Sequence, residues 1–263
     1  MKGAPQALAG RTVWLTRPAQ QAGPLQAALQ ARGARVFCLP LLEIAAVPPK
    51  REQLQHLKDL DRYDLVVYVS SNAARIGLDR IFEWWPQYPV GILNLAVGSG
   101  TAAVLEAEGL QVRYPSERMD SEGLLALPEL ADIGGKRALI VRGMGGREVL
   151  AQGLRERGCT VDYVELYERR QPAYGVDYLA HCLASQPPDA VVVTSAEALS
   201  NLKELFFPVG DEWRELPLFL PSERVQEHAQ QLGFGRCRRL ESASDAAIIT
   251  GLCAVFAQEG TDV

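Results

Sequence analysis

The chain has 263 residues, of which 48% are hydrophobic and 22% are charged, a composition typical of an ordinary globular protein. Its net charge of −5 and its lack of a polybasic run argue against nucleic acid and anionic membranes as partners. No stretch approaches the ~18 consecutive apolar residues of a membrane-spanning helix, and the first ten residues lack an apolar signal core, so we expect a cytoplasmic protein.

Predicted strands and helices alternate along the whole chain. Each predicted strand is an apolar run that is too short for a globular helix and is bounded by glycine or polar residues. The alternation predicts an α/β protein with parallel sheets covered by helices on both faces. The predicted strands cover residues 12–16, 36–39, 65–69, 95–97, 112–114, 138–141, 161–167, 190–193 and 218–220. The predicted helices end near Arg32, Leu60, Phe82, Glu108, Gly158, Leu183, Leu232 and Phe256, and another begins at Ser121.

The chain contains an internal repeat. Residues 10–43 match residues 135–168 without gaps at an offset of 142 − 17 = 125, the distance from Arg17 to Arg142. Residues 63–70 match residues 188–195 at the same offset, and near the end of the repeat the offset falls to 123. The sequence therefore predicts two degenerate copies of one α/β unit, each far longer than the repeats of a solenoid.

Polar and glycine-rich turns follow the predicted strands where helices begin. In open α/β sheets, ligands bind beyond the carboxyl ends of the strands, and free N–H groups at helix N-termini bind anions. One such contact contributes only ~0.3–1 kcal/mol, so several together would suit a ligand with many carboxylates or phosphates. The turns are Arg17-Pro18, Ser70-Ser71-Asn72, Gly98-Ser99-Gly100-Thr101, Arg142-Gly143-Met144-Gly145-Gly146-Arg147, Thr194-Ser195 and Ser222-Glu223-Arg224.

Each turn also has a plainer explanation. Serine and threonine are good helix N-caps whether or not they bind a ligand, and Arg17 and Arg142 equally fit solvated strand ends. Gly98-Ser99-Gly100 lacks the third glycine of a dinucleotide fingerprint, and Gly134-Gly135-Lys136 precedes a strand rather than the helix of a P-loop. The five cysteines form no CxxC pair and the three histidines lack metal-site spacing, so we expect no metal site.

Tyr167 follows an apolar stretch at a position where the first copy has Leu42. It fits a core or interface aromatic. It also fits a proton donor in a binding site, because the reference pKa of a phenol, about 10, keeps the group protonated at neutral pH.

Several of these segments together resemble the uroporphyrinogen-III synthase family over about residues 10–256. No single segment is specific, and the resemblance lies in their order and spacing. The segments are Val13-Trp14-Leu15-Thr16-Arg17-Pro18, Val67-Tyr68-Val69-Ser70-Ser71-Asn72-Ala73, Ala96-Val97-Gly98-Ser99-Gly100-Thr101, Leu139-Ile140-Val141-Arg142-Gly143 with Gly146-Arg147, Val164-Glu165-Leu166-Tyr167-Glu168-Arg169, Thr194-Ser195 and Ser244-Asp245-Ala246-Ala247.

The resemblance implies a fold that composition and periodicity do not. It implies two similar domains, each a parallel sheet flanked by helices, joined by a two-stranded β connector. Domain one would combine residues 1–38 and 177–263, domain two would span 52–163, and the connectors would be 39–51 and 164–176.

The resemblance also implies a reaction. Hydroxymethylbilane, a linear tetrapyrrole with eight carboxylates, would be closed to uroporphyrinogen III with inversion of ring D and loss of water, through a spiro intermediate. We expect a monomeric lyase that needs no cofactor, with Tyr167 as proton donor to the leaving hydroxyl. The expected substrate-binding residues are Arg17, Ser70, Ser71, Asn72, Gly98, Thr101, Arg142, Gly143, Arg147, Thr194, Ser195, Ser222 and Arg224.

Two departures from the family pattern and two alternatives stay open. Val69 stands where the family commonly has threonine, and Pro221-Ser222-Glu223-Arg224 replaces a turn that resembles Gly-Pro-x-Thr, so Arg224 would have to take the place of that threonine. The first alternative is a two-lobed α/β protein that binds a polyanionic small molecule without catalysis. The second is a nucleotide-binding enzyme, which the incomplete phosphate motifs disfavour.

Overall fold

The computed structural model describes residues 6–146 and 148–259, which form eleven strands and ten α-helices. The strands are β1 (Thr12–Leu15), β2 (Arg35–Cys38), β3 (Glu43–Ala46), β4 (Leu65–Tyr68), β5 (Leu93–Ala96), β6 (Val112–Arg113), β7 (Arg137–Gly143), β8 (Thr160–Arg170), β9 (Ala190–Val192), β10 (Leu218–Leu220) and β11 (Cys237–Arg239). The helices are α1 (Ala19–Gln30), α2 (Arg51–Lys58), α3 (Ser71–Phe82), α4 (Ser99–Ala107), α5 (Ser121–Leu125), α6 (Val149–Glu156), α7 (Val176–Ser185), α8 (Ala196–Phe206), α9 (Glu223–Leu232) and α10 (Asp245–Glu259).

The chain divides into two compact units. The first consists of the described residues of Met1–Glu43 and Arg170–Val263, and the second of Ile44–Arg169. The first contains a five-stranded sheet in the order β11-β10-β9-β1-β2, and the second a six-stranded sheet in the order β3-β8-β7-β4-β5-β6. The strand pairs of known register are parallel in both sheets, and helices pack on both faces. The predicted α/β class with parallel sheets flanked by helices is confirmed.

The internal repeat reappears in the register of the strands. In the first unit Val13 of β1 pairs with Ala190 of β9, and in the second unit Ala138 of β7 pairs with Leu65 of β4. Both comparisons follow the offset of 125, since 138 − 13 = 125 and 190 − 65 = 125. Each sheet therefore joins the first two strands of one copy to later strands of the other copy.

Each sheet has an apolar layer on either face, as strands buried on both faces require. In the second unit Val66, Tyr68 and Val141 pack on the face covered by α3 and α4, whereas Leu65 and Val67 pack on the face covered by α6. The strands therefore read as continuous apolar runs rather than alternating ones, which is why they could be located from the sequence.

One strand has no counterpart in the predictions. β3 lies within residues 39–51, where the resemblance implied one strand of the β connector, and it is the neighbour of β8 in the sheet. β11 lies in a stretch without a predicted strand. β11 has the sequence Cys-Arg-Arg with two exposed arginines. It is an edge strand of its sheet, so it needs no apolar pattern, and periodicity cannot detect it.

A polar cluster lies at the amino-terminal end of the strands of the second unit. The Tyr63 hydroxyl and the Arg137 guanidinium donate to Asp162 Oδ2 at 2.8 Å and 3.1 Å, and His56 Nδ1 lies 2.8 Å from the Tyr63 oxygen. Partial burial would raise the pKa of the Asp162 carboxyl, but the hydrogen bonds from Tyr63 and Arg137 hold it below its usual value.

Asp162→Asn should therefore change the acid stability of the protein. A carboxyl with a lowered folded pKa stabilises the fold above its unfolded pKa of about 4, and this contribution disappears as the pH falls through the folded value. We expect the variant to lose about 1–3 kcal/mol of unfolding free energy at pH 7, measured in urea, and to depend less on pH below about 5. Equal stability of the two proteins at pH 7 would contradict a stabilising role for this cluster.

Across residues 6–146 and 148–259, no helix is both long enough and apolar enough to cross a membrane.

Candidate functional site

The candidate residues of the second unit lie at one edge of its sheet. The order β8-β7-β4-β5 and the parallel strands bring the carboxyl ends of these strands to a common edge. Ser70 follows β4, Gly98 follows β5, Arg142 and Gly143 end β7, and Tyr167 lies near the end of β8. Within this unit, residues far apart in the sequence are thus neighbours.

Ser70 and Tyr167 are in direct contact. The Ser70 Oγ and the Tyr167 hydroxyl oxygen are 2.8 Å apart, although the residues are 97 positions apart in the sequence. Ser70 is also the N-cap of α3, and its Oγ accepts a hydrogen bond of 3.0 Å from the Ala73 backbone N–H. The hydroxyl predicted as a ligand group therefore has two partners within the protein.

A bulge determines where the Tyr167 side chain points. Arg142 pairs with Glu165, but Gly143 pairs with Tyr167, so the register shifts by one residue between them. Strict alternation would place Tyr167 on the face opposite Leu166, yet both side chains belong to the apolar layer under α3. The extra residue in β8 thus turns Tyr167 towards Ser70, as bulges near functional sites commonly re-aim side chains.

Gly143 leaves the space that the Tyr167 ring occupies. A Cβ atom at position 143 would lie 2.6 Å and 2.7 Å from two ring carbons of Tyr167. The Met144 backbone N–H donates to the Tyr167 carbonyl oxygen at 2.8 Å, and this hydrogen bond keeps β8 next to the end of β7 beyond the bulge. Tyr167 is only 4% exposed, and its hydroxyl is held by Ser70 at the edge of the sheet.

Arg142 has protein partners on the opposite face of the sheet. Its side chain is 6% exposed and donates to Glu148 Oε1 at 2.9 Å and to the carbonyl oxygen of Gly146. Glu148 Oε2 also accepts from the Tyr163 hydroxyl at 2.5 Å, and the hydrogen bonds from Tyr163 and Arg142 hold the pKa of Glu148 below its usual value. Arg142 therefore stabilises the turn between β7 and α6, in addition to any contact with a ligand.

We expect Arg142→Lys to destabilise the protein even though the charge is kept. A lysine ammonium cannot reach the carboxylate and the carbonyl oxygens in the planar geometry of a guanidinium. The free energy of unfolding should fall by about 1–3 kcal/mol, measured by urea denaturation. Glu148→Gln is the matched variant and should cost less, because the Glu148 side chain is 63% exposed. An unchanged midpoint for Arg142→Lys would contradict the structural role.

The remaining candidates of the second unit lie at the starts of two neighbouring helices. Ser71 is exposed in the first turn of α3, and a Cβ atom at Gly100 would lie 3.6 Å from its Oγ. The Asn72 side-chain oxygen accepts from Arg75 at 2.9 Å. Gly98 is the N-cap of α4, and Thr101, three residues later, is buried with 6% exposure. The α3 and α4 N-termini therefore adjoin each other.

In the first unit, Arg17 has partners that resemble those of Arg142. Its guanidinium donates to Asp245 Oδ1 at 2.5 Å and to the Ala243 carbonyl oxygen, and its side chain is 12% exposed. The two arginines correspond in the repeat, and each donates hydrogen bonds to a carboxylate and to backbone carbonyl oxygens, one carbonyl for Arg17 and two for Arg142. The sequence did not predict these carboxylates, Asp245 and Glu148, although each lies at or just before the start of a helix.

Four other candidates of the first unit follow β9 and β10. Ser195 is the N-cap of α8 and accepts from the Ala198 N–H at 3.1 Å, and Ser222 caps α9 by accepting from the Val225 N–H at 3.4 Å. Thr194 is half-buried before Ser195, and Arg224 is exposed in the first turn of α9. Both serines therefore act as the N-caps that the plainer explanation predicted.

The last predicted residue, Arg147, lies outside the residues that the structure describes. Within the described ranges, no three or more histidine, cysteine, aspartate or glutamate side chains cluster in a way that could hold a metal ion.

Comparisons with known proteins show which family the chain belongs to. Residues 23–249 match the family described as uroporphyrinogen-III synthase HemD. The uroporphyrinogen-III synthase of Salmonella typhimurium is 33% identical over 92% of this chain and 99% of its own length, and that of Escherichia coli is 31% identical over the same shares.

Solved structures show the same fold. A mutant uroporphyrinogen III synthase from Thermus thermophilus aligns over 95% of this chain and 100% of its own with a TM-score of 0.58 and 16% identity. The Helicobacter pylori uroporphyrinogen-III synthetase aligns over 95% of this chain and 99% of its own with a TM-score of 0.56 and 14% identity. The family match and the two sequence relatives show that the chain belongs to the uroporphyrinogen-III synthase family.

Proposed function

We propose that the chain closes hydroxymethylbilane to uroporphyrinogen III, with inversion of ring D and loss of water. Alignment of nearly the whole chain with two uroporphyrinogen-III synthases supports the reaction. The observation that carries the mechanism is the hydroxyl pair of Ser70 and Tyr167, 2.8 Å apart at the carboxyl edge of a parallel sheet. This edge is where open α/β proteins bind their ligands.

In the proposed mechanism, Tyr167 donates its proton to the hydroxyl on ring A. The carbon–oxygen bond breaks, water leaves and an azafulvene cation remains. Ring D attacks through its substituted carbon to give the spiro intermediate, which fragments and recloses as isomer III. The proton that the substrate loses when the last pyrrole becomes aromatic returns to the Tyr167 oxygen, so the step is balanced.

The rest of the protein would hold the substrate in the geometry of this closure. The uncatalysed reaction gives isomer I, so orientation is the main contribution required of the enzyme. We propose that backbone N–H groups and side chains at the helix N-termini bind the acetate and propionate groups. The proposed binding residues are Arg17, Ser71, Asn72, Gly98, Thr101, Arg142, Gly143, Arg147, Thr194, Ser195, Ser222 and Arg224, while the Ser70 hydroxyl is paired with Tyr167.

Arg17 and Arg142 would contribute in a particular way. Because each guanidinium already bonds a carboxylate of the protein, it would bind a substrate carboxylate by exchanging this partner for it. Arg224 is exposed, so its charge is available in the turn that departs from the family pattern.

Incubation with excess substrate separates catalysis from binding alone. Purified protein would be mixed with a hundredfold molar excess of freshly made hydroxymethylbilane, and isomers I and III would be resolved chromatographically. We expect isomer III in many-fold excess over the protein. A non-catalytic binding protein would release only isomer I, and that result would refute the proposed function.

The domain limits, oligomeric state and location are further proposals. We propose domains of 1–38 plus 177–263 and of 52–163, because the compact units divide after residues 43 and 169, inside the expected connectors 39–51 and 164–176. We also propose a monomer in the cytoplasm, which light scattering and cell fractionation would test.

A further inference from the structure

We propose that Ser70 is the positioning residue that orients the proton of Tyr167, by donating its own hydroxyl proton to the Tyr167 oxygen. The hydrogen bonds would then run in one direction, from the Ala73 N–H to Ser70 Oγ, and from Ser70 Oγ–H to the Tyr167 oxygen. The Tyr167 proton would be left pointing at the leaving hydroxyl. This inference rests on the proposed function, since it assigns a role within that reaction.

The helix cap favours this direction. The Ser70 oxygen accepts the Ala73 N–H at 3.0 Å, and a hydroxyl that accepts a hydrogen bond becomes a better donor. When Tyr167 gives up its proton, the bond from Ser70 becomes a charge-assisted hydrogen bond to a phenolate oxygen. The positive end of the α3 dipole favours negative charge at the same place. In the reverse direction Tyr167 would donate its hydrogen bond to the Ser70 oxygen, and its proton would not point at the substrate.

The internal repeat separates this role from simple helix capping. Ser195 corresponds to Ser70 and caps α8 through the Ala198 N–H at 3.1 Å. The residue that corresponds to Tyr167 is Leu42, which has no hydroxyl. Capping is therefore common to both copies, whereas the phenol belongs to one copy only. The bulge in β8 and the glycine at position 143 both lie in the copy that contains Tyr167. Together they place the phenol next to Ser70.

Three variants of Ser70 separate orientation from capping. Ser70→Ala removes both the cap and the donor. Ser70→Thr keeps both. Ser70→Asp keeps the cap, since aspartate is as good an N-cap as serine, but its carboxylate can only accept and would receive a hydrogen bond from the Tyr167 hydroxyl.

We expect stability and turnover to respond differently in these variants. Thermal unfolding midpoints should fall for Ser70→Ala and stay near the wild-type value for the aspartate and threonine variants. Turnover number should fall about 10- to 100-fold for both the alanine and the aspartate variants with KM changed less than about threefold, and threonine should restore it. If Ser70 were only a cap, the aspartate variant would retain wild-type turnover.

The same substitutions in a Tyr167→Phe background test whether Ser70 acts through the tyrosine. There we expect Ser70→Ala to lower turnover less than about twofold, because the group it orients is gone. An equal loss in both backgrounds, or a loss that appears mainly in KM, would show that Ser70 binds a substrate carboxylate and would overturn the proposal.

An infrared difference spectrum of labelled tyrosine gives a readout that does not need the reaction. With ring-labelled tyrosine and the Tyr167→Phe protein as reference, the C–O stretch of Tyr167 reports whether its oxygen accepts or donates a hydrogen bond. We expect an accepting phenol in the wild type and a donating phenol in Ser70→Asp. If the wild type makes no isomer III, the proposed function fails, while this spectrum still decides the direction of the hydrogen bond. A donating phenol in the wild type would overturn the inference.

Discussion

Tyr167→Phe is expected to lower the turnover number for uroporphyrinogen III formation by about 10²-fold. The loss follows from removing a general acid, whose contribution is typically 10²–10⁴-fold. KM should change little, because the phenol would contribute in the transition state more than in substrate binding. The measurement is the initial rate of isomer III formation at saturating hydroxymethylbilane.

Tyr63→Phe is the matched control for this variant. Tyr63 is also buried, its hydroxyl is also hydrogen-bonded, and it lies in the same apolar layer, but at the opposite end of the strands. It should lose stability through its lost bond to Asp162 and retain wild-type turnover. If both variants kept the wild-type rate, Tyr167 would have no part in the chemistry and would be a core aromatic.

Gly143→Ala is expected to lower turnover as strongly while the protein still folds. The added Cβ atom would lie within 2.6–2.7 Å of the Tyr167 ring, so the ring must shift and the distance to Ser70 must change. Misplacement of a catalytic group by about 1 Å can cost about 10²-fold in rate. Overpacking should lower the unfolding free energy by about 1–3 kcal/mol. Turnover and denaturation would be measured on the same preparation.

Gly134→Ala provides the comparison for this glycine. A Cβ atom there would meet its nearest neighbour, the Arg157 carbonyl oxygen, at an ordinary 3.7 Å. This variant should match the wild type in turnover. Adding Tyr167→Phe to Gly143→Ala should cause little further loss, because both changes disable the same group. If the losses of turnover multiplied in the double variant, Gly143→Ala would be acting on a group other than Tyr167.

The layers of this fold can be predicted from sequence because its strands are short apolar runs and several of its helices begin at serine or aspartate N-caps. Val13, Trp14 and Leu15 of β1 and Leu139, Ile140 and Val141 of β7 are buried on both faces, so no alternation has to be interpreted. The repeat gives correct equivalences between these strands because the two copies keep the same register.

Long-range pairing is harder to predict. The offset of 125 equates β1 with β7, but it does not show that β1 pairs with β9 of the other copy instead of β4 of its own. Local sequence patterns cannot predict which strand β1 pairs with, because the pairing depends on which surfaces become buried together in the folded protein. The edge strand β11 was missed for a related reason, since its two arginines are exposed.

The sequence named the residues of the candidate site but did not predict most of the contacts between them. Residue types indicated Ser70 as a cap and Tyr167 as a phenol with two possible roles. Their contact depends on a one-residue bulge in β8, and period-two alternation would have placed Tyr167 on the other face. Likewise, the carboxylate partners of Arg17 and Arg142 come from segments that the turn motifs do not include.

The most direct test of the account measures the fraction of isomer III against protein concentration at a fixed hydroxymethylbilane concentration. Spontaneous closure to isomer I competes with the enzyme in every reaction, so the fraction reports the catalysed rate. We predict that wild-type protein converts the product to isomer III at concentrations far below that of the substrate, and that Tyr167→Phe requires about 10² times more protein. Isomer I as the main product at every concentration of wild-type protein would contradict the account.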